Sequence, residues 1–434
     1  VLPTTKLDDG LVLRPATRVD ADELAEFNGQ MHTDENESPV PIADWTLDLM
    51  KEDHPWFEAD RDVTVVEDTE TGRIVSALFL IPQIWSYAGI EMLIGQPELI
   101  STHPDYRRRG LIRTQFEVIH AHSDPDHVWQ YIGGIPWYYR QFGYSYALDY
   151  VPSAVWWLTD SFPDGPVGYT LRPAVAGDVP FLAEVETAAQ RRPFLTSVHG
   201  LDGWELELRR RPGALPACEV HVIEHAAADA SVPIGYVVNE RSRRAERVFV
   251  KAFELAPGRS WLEPTAAVLA ALRARARDDP ALPKAIRLLL APEHPAVRCA
   301  TTKLSPGPRS SYGFYVRVPD VVRLLDRIRP VLETRLAASP AAHHTGSLTI
   351  DVYTYGLSVS IVDGRIAAIE RRPSSPDVAD VALPVEALLT VVFGNRSLAD
   401  VDRDVADCQI ESDAGALLVD VLFPRMAFGP WEIG

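Results

Sequence analysis

A four-residue string occurs twice and divides the chain. Leu13-Arg14-Pro15-Ala16 returns 158 residues later as Leu171-Arg172-Pro173-Ala174. Each copy runs on in the same way: a short strand, a proline-marked turn, an aspartate near a helix N-terminus (Asp20, Asp178), then an amphipathic run over 21–28 or 179–187. At roughly 100–200 residues per domain, this offset is one domain. We therefore read a duplication. The 160–168 segment, Asp-Ser-Phe-Pro-Asp-Gly-Pro-Val-Gly, has the composition of a linker between the copies.

Within the first copy, 63–67 and 74–81 flank the turn Thr69-Glu70-Thr71-Gly72 and read as a hairpin. A strand over 92–101, a helix over 110–122 and a strand over 128–132 follow. Strand, helix, strand implies a mixed sheet with one right-handed crossover. The region after residue 314 has another pattern. A long amphipathic helix spans 321–336, with Val321, Leu324, Leu325 and Ile328 on one face. Asp363-Gly364 marks a hairpin between 348–361 and 366–371, and 384–393 reads as a short apolar helix. The expected units are 1–158, 168–305 and 312–434. The expected class is α+β / α/β, two tandem mixed-sheet units followed by an α+β unit.

Charge narrows the function. The 434 residues hold 42 Lys and Arg against 61 Asp and Glu, a formal net charge of −19. Such a field repels nucleic acid, so no nucleic-acid partner is expected. It does suit a cationic small molecule. Cys218, Cys299 and Cys408 are widely spaced and form no Cys-x-x-Cys pair. Neither a disulfide framework nor a zinc-thiolate site is expected. No run approaches 18 apolar residues and the first ten lack a signal pattern. A cytoplasmic protein without a membrane partner is expected.

One stretch reverses the overall sign. Residues 107–113, Arg-Arg-Arg-Gly-Leu-Ile-Arg, place four arginines in seven positions, after a strand and the turn at Pro104 and at the opening of a helix. Free N–H groups and the dipole at a helix N-terminus form an anion site. Gly110 allows a phosphate to approach the backbone, and the arginines add forked donors. We expect a pyrophosphate site here. An exposed basic turn is the bland alternative, and the strand–turn–helix context argues against it.

Ile100-x-Thr102-x-Pro104 followed by Arg107-x-x-Gly110-x-Ile112 resembles the acetyl-CoA motif of the GNAT N-acetyltransferases. Ile112 departs from the usual Gly or Ala. In this it is similar to the Eis (enhanced intracellular survival) branch, which has two tandem GNAT units and a sterol-carrier-protein-like C-terminal domain. The resemblance covers the whole chain. It implies acetyl-CoA as co-substrate, with the backbone of Ile100, Ser101 and Thr102 holding the pantetheine arm. Arg107, Arg108, Arg109, Gly110, Leu111, Ile112 and Arg113 would hold the pyrophosphate. It also implies a homo-oligomer, a hexamer in that branch. The equivalent stretch of the second copy, 250–260, lacks the Arg-x-x-Gly turn and is expected to bind no acetyl-CoA.

Acyl transfer to an amine requires a neutral amine, a stabilised carbonyl oxygen and a proton for the leaving thiolate. The segment Tyr139-Arg140-Gln141-Phe142-Gly143-Tyr144 resembles the GNAT segment that carries the thiolate-protonating tyrosine. The resemblance places that role on Tyr139. Tyr138, Phe142 and Tyr144 are expected to pack in the core. In the Eis branch a free C-terminal carboxylate accepts the amine proton. Here Gly434 would supply it, with Glu432 as substitute; the aromatics and prolines of 423–434 suit a packed tail.

His120 and His122 face different ways on a helix, and no metal site is expected. Asp34, Glu35 and Glu37 are either a solvated loop or part of an acceptor wall. Trp45, Trp56, Phe57, Trp85 and Tyr87 either line that pocket or belong to the core. The resulting expectation is an acetyl-CoA-dependent N-acetyltransferase acting on amines of a cationic, aminoglycoside-like molecule by direct transfer in a ternary complex. The alternatives are transfer to polyamines or lysine side chains, or a non-enzymatic lipid or small-molecule binder whose acetyltransferase unit is vestigial.

Overall fold

The computed structural model describes residues 2–33, 38, 40–51, 54–149, 154–157, 165–192, 194–210, 218–226, 230–242, 247–278, 285–300, 304–306, 313–429 and 431. Its strands form three mixed or antiparallel sheets. In the first, Leu11–Pro15, Val63–Asp68, Arg73–Tyr87 and Ile90–Thr102 pair antiparallel in chain order. Gln130–Ile132 then joins in parallel beyond the helix Leu111–Ser123. The central strand Arg73–Tyr87 is buried on both faces. Ala77, Phe79 and Ile81 pack with the helices Ala21–Met31 and Val40–Lys51, while Leu78 and Leu80 pack with Phe116 and Ile119 of the helix Leu111–Ser123.

The second sheet has the same order. Tyr169–Pro173, Glu219–Ala226, Ser231–Ser242 and Arg247–Leu255 pair antiparallel, and Ala285–Leu288 joins in parallel after the helix Leu262–Asp278. The repeat also extends to an ion cluster. Arg14 donates to both carboxylate oxygens of Asp20 (2.9 and 2.8 Å) and to Glu67 (2.8 Å). Arg172 donates to both oxygens of Asp178 (2.7 Å each) and to Glu224 (2.7 Å). In each copy the fork ties the first strand to its neighbour and to the turn that opens the first helix.

The two sheets exchange strands. Gly313–Arg317, which follows the second unit, inserts into the first sheet between Gln130–Ile132 and Ser145–Asp149. Ala154–Trp157, which follows the first unit, inserts into the second sheet between Ala285–Leu288 and Ser305–Pro306. Both strands therefore cross the expected boundaries at 158 and 312. Burial patterning marks a strand but not its partner, so sequence reading placed each with its nearer neighbours. The linker 160–168 lies outside the described residues at 160–164.

The third sheet contains Gly346–Asp351, Gly356–Val362 and Arg365–Arg372 in antiparallel order, with Val381–Ala382 and Gln409–Ile410 beyond. The expected strand over 348–361 is two strands. Tyr353 sits at φ +66° and the Val352 amide bonds the Tyr355 carbonyl at 2.9 Å, closing a turn between them. The Asp363-Gly364 turn has both residues at positive φ, as the hairpin requires. The helix Val321–Ala337 shares one hydrophobic cluster with Trp85, Tyr87, Trp129 and Tyr131 of the first sheet. Tyr87 donates to the Val392 carbonyl at 2.7 Å. Trp85 and Tyr87 thus belong to the core between the first sheet and the C-terminal region, as does Phe57 within the first unit.

Two outcomes follow. Residues 1–158 expressed alone lack Gly313–Arg317 and leave Tyr131 and Tyr139 uncovered. That fragment is expected to show no dispersed amide spectrum, and co-expression with 159–434 is expected to restore one; a folded isolated fragment would contradict the exchange. The Arg172 hydrogen bond holds the Asp178 carboxyl below its ordinary 3.8. Its contribution is present above that value and lost as pH falls through the native value. Asp178→Asn is expected to cost about 1–2 kcal/mol at pH 7, after allowance for solvent screening. Denaturant melts should show this difference shrinking below about pH 4.

Candidate active site

The site grows from a split between two parallel strands. Ile90–Thr102 and Gln130–Ile132 share the single register pair Gly95–Gln130. The Gly95 amide bonds the Trp129 carbonyl at 3.1 Å, and the Val128 amide bonds the Leu93 carbonyl at 3.0 Å. Past this point the strands diverge. Glu98, Ser101 and Thr102 keep antiparallel partners in Arg73–Tyr87 on one edge only. Their other edge is available to an extended ligand, in the manner of an added strand.

A bulge lies at the split. The register between Arg73–Tyr87 and Ile90–Thr102 shifts between Ala77 and Phe79, and Leu99 there has φ +49°. Glu98 is half-buried and folds over the bulge, its Oε2 accepting from the Leu99 amide at 3.3 Å. Its other oxygen accepts from Gln96 Nε2 at 3.0 Å. Gln96 continues to Gln83 and to the Tyr131 hydroxyl (2.7 Å), and Trp85 Nε1 donates to Gln83 at 3.0 Å. The His32 ring bonds the Leu99 backbone. Partial desolvation there lowers its pKa from 6.5, against that bond, although the residue still meets solvent. Sequence reading missed Glu98, Leu99 and His32. A leucine at positive φ carries no compositional signal, and Glu98 gains its meaning only from the register shift.

Beyond Thr102 the chain turns through Pro104–Tyr106 into the helix Leu111–Ser123. Arg108 (φ +66°) and Gly110 (φ +78°) take left-handed conformations that tighten the turn. The helix's first backbone bond is Thr114 N–H to the Gly110 carbonyl at 3.1 Å. The amides of Leu111, Ile112 and Arg113 precede it and have no intrahelical acceptor. Arg107, Arg108, Arg109 and Arg113 are all exposed around them. Arg107 bonds the Thr102 carbonyl (3.2 Å), Arg109 lies 3.8 Å from Asp9, and Arg113 bonds Gln141 (2.7 Å). These are weak or neutral engagements, so the positive charge is available to an anion. The helix is pinned by Gln115, which accepts from Ser76 (2.7 Å) and donates to the Thr64 carbonyl (3.0 Å). That buried pair sets the helix N-terminus against the end of the strand Ile90–Thr102.

Tyr139 sits on the short helical turn Tyr138–Phe142. It is 6% exposed, with edge contacts to Phe116, Tyr144 and Tyr315. A Cβ at Gly134 would lie 2.8 Å from its ring and 3.3 Å from its hydroxyl oxygen, so only glycine fits there. The hydroxyl is thereby held just past Gln130–Ile132, one arm of the split. Tyr315 comes from the exchanged strand Gly313–Arg317, so a strand from beyond the second unit backs this tyrosine. Phe142 stacks on Phe116 (4.3 Å), and Tyr144 is buried with its hydroxyl on Gln130 and 3.0 Å from His120. Burial, with Arg317 adding, pushes the His120 ring down to about 4. It serves this packing.

The tail approaches the same region. Ala427–Phe428 pairs in parallel with Phe194–Val198, which itself pairs antiparallel with the end of Arg73–Tyr87. The Gly429 amide bonds the Leu195 carbonyl (3.1 Å), and Ser197 exchanges two hydrogen bonds with the Trp431 backbone (2.5 and 3.0 Å). From Leu195 to Val198 the register descends from Tyr87 to Ile84, so the tail advances toward Gln83 and the bulge. Glu432 and Gly434 lie outside the described residues, as do Asp34, Glu35 and Glu37. No helix among the described residues is long and apolar enough to cross a membrane.

Residues 13–147 match the family model described as Acetyltransferase (GNAT) domain. No curated protein matches the chain. Among solved structures, the fold is similar to a GCN5-related N-acetyltransferase from Kribbella flavida (TM-score 0.66, 17% identity, covering 97% of this chain and 99% of that one). It is also similar to a conserved protein of Enterococcus faecalis V583 described as a probable N-acyltransferase (TM-score 0.65, 10% identity, 97% and 100%). Eis1 from Mycobacterium abscessus is similar over the same extent (TM-score 0.60, 16% identity, 97% and 99%). At these identities the likeness is one of fold, and it runs the length of the chain. The chain is therefore built of two tandem GNAT-like units followed by an α+β region.

The turn yields a direct outcome. Replacing Arg107 and Arg108 together with alanine is expected to weaken diphosphate binding about tenfold, since charge-assisted bonds contribute about 1.5–3 kcal/mol before exposure is allowed for. Calorimetry with coenzyme A reads this, and an unchanged affinity would remove the arginines from the site.

Proposed function

We propose that the chain is an acyl-CoA-dependent N-acyltransferase, with acetyl-CoA as donor and a primary amine of a cationic small molecule as acceptor. The observation that carries the reading is the combination of an open strand split, a bulge at its base and an arginine-rich helix N-terminus at its mouth. The residues present fit the donor. The amides of Leu111, Ile112 and Arg113 with Arg107, Arg108 and Arg109 would hold the diphosphate. The free edge of Ile100, Ser101 and Thr102 would hold the pantetheine arm. The Leu99 amide, which lies at the bulge and donates to Glu98, would turn to the developing oxyanion. Tyr139 would give its proton to the departing thiolate; a phenol near pKa 10 can protonate a thiolate without being ionised itself.

The incoming ammonium must lose a proton. The course of 427–431 toward the bulge supports the Gly434 carboxylate as acceptor, with Glu432 as substitute. A second reading has its own observation: Glu98 is a half-buried carboxylate already at the bulge, in contact with the Leu99 amide. The acidic balance of the chain supports a cationic acceptor. Aminoglycoside-like molecules, polyamines and lysine side chains are the classes to compare. The division into 1–158, 168–305 and 312–434, a sterol-carrier-like third region and a homo-oligomer, a hexamer in the Eis branch, belong to the same proposal.

Tyr139→Phe is expected to lower kcat about 100-fold with little change in KM for acetyl-CoA. Equal turnover by the variant would remove Tyr139 from the chemistry. Extending the chain by three residues beyond Gly434 and, separately, Glu98→Gln distinguish the two proton acceptors. The one that matters is expected to depress kcat and shift its acidic pH limb. A neutral result for both would leave the proposed base wrong.

A further inference from the structure

The second unit repeats the strand split. Arg247–Leu255 and Ala285–Leu288 pair in parallel as far as Val250 and Leu288, and the Leu289 amide on the Val250 carbonyl (2.8 Å) is the next rung. Beyond it the strands part, and a cleft lies between them, walled on its far side by Gly429 and Trp431 of the tail. An acyl-CoA does not suit this copy. The turn at 256–260 has no Arg-x-x-Gly, and Trp261 packs against Phe253 and His294, both at 5.3 Å.

The cleft is nonetheless lined by deeply buried polar side chains: Gln190, His199, Glu254 and His294 are 3, 2, 7 and 5% exposed. The carboxylates among them are answered within the protein. Glu186 accepts from the amides of His199 and Gly200 and from His199 Nδ1, all at 3.0 Å, and from Trp204 Nε1 at 3.3 Å. Glu254 is paired with Arg192 and lies 3.3 Å from His294 Nε2. Two polar atoms are not answered. Gln190 Nε2 and His199 Nε2 are buried without a hydrogen-bond partner. Such atoms are uncommon in folded proteins, because each forfeits its hydration.

We propose that this cleft binds a small neutral molecule bearing a hydroxyl or a primary amide. With Nδ1 held by the Glu186 carboxylate, the neutral His199 ring presents an Nε2 lone pair that needs a donor. Gln190 Nε2 presents a hydrogen and needs an acceptor. A hydroxyl or a primary amide supplies both. The ligand is uncharged because the charged groups around it already have partners, Lys251 being paired with Glu240 at 2.7 Å. The His199 ring also stacks on the Trp431 indole at 3.9 Å, so a ligand held by His199 steadies the tail that runs toward the first unit's bulge.

Saturation-transfer NMR on the full chain, with glycerol and with acetamide as separate probes, tests the site in wild type and Gln190→Leu. The expected result is saturable transfer for at least one probe in wild type and at least tenfold weaker binding in the variant. The variant's Tm should be unchanged or higher, because leucine removes an unmet donor. Hydrogen exchange of 427–431 should slow with the bound probe. Should Gln190→Leu fail to fold, Gln190→Glu keeps the size, removes the donor and is expected to lose the probe equally. No saturable transfer for either probe, as when ordered water alone fills the cleft, would overturn the proposal. So would equal binding by wild type and variant.

Discussion

The architecture depends on a reciprocal exchange of one strand. Gly313–Arg317 completes the first sheet, and Ala154–Trp157 completes the second. Each inserted strand lies directly beside the parallel strand that forms one arm of a split. The backbone hydrogen bonds of that arm are therefore satisfied from outside its own unit. Without the insertion, Gln130–Ile132 would be an edge strand with a single register pair to Ile90–Thr102. The exchange thus fixes the arm whose divergence makes the site, and it couples the folding of two duplicated halves.

Duplication has given two copies of one scaffold with different fates. Both keep the arginine fork that ties strand to helix, a parallel strand reached through a helix, and the split. They differ at the turn that follows the fourth long strand. In the first copy, left-handed Arg108 and Gly110 lead into a helix with unbonded amides among exposed arginines. In the second, Trp261 packs on Phe253 and His294 at that approach, and buried Glu254 lines the cleft between the strands. On the proposed function, the chemistry follows a handful of residues rather than the fold, as is general for superfolds.

Much of this was legible in the sequence, because some signals are local. The Leu-Arg-Pro-Ala string and the aspartate six residues past each arginine announce the two forks. Arg107-x-x-Gly110 announces the tight turn at a strand-to-helix junction. Asp363-Gly364 announces a hairpin. Other features depend on pairing between distant segments. Nothing in Ala154–Trp157 or Gly313–Arg317 states which sheet each joins. The bulge at Leu99 exists because of register against Arg73–Tyr87, and Glu98 becomes a candidate only through it. Trp85 and Tyr87 left two readings open in sequence, and the packing of Val321–Ala337 against the first sheet places them in the core.

The central claim is that the first split, and not the second, receives the acyl-CoA. Hydrogen–deuterium exchange of the full chain with and without coenzyme A tests it most directly. The account predicts slowed exchange at 99–113 and at 134–139, with 250–262 unchanged. Protection centred on 250–262, or none in either place, would contradict it.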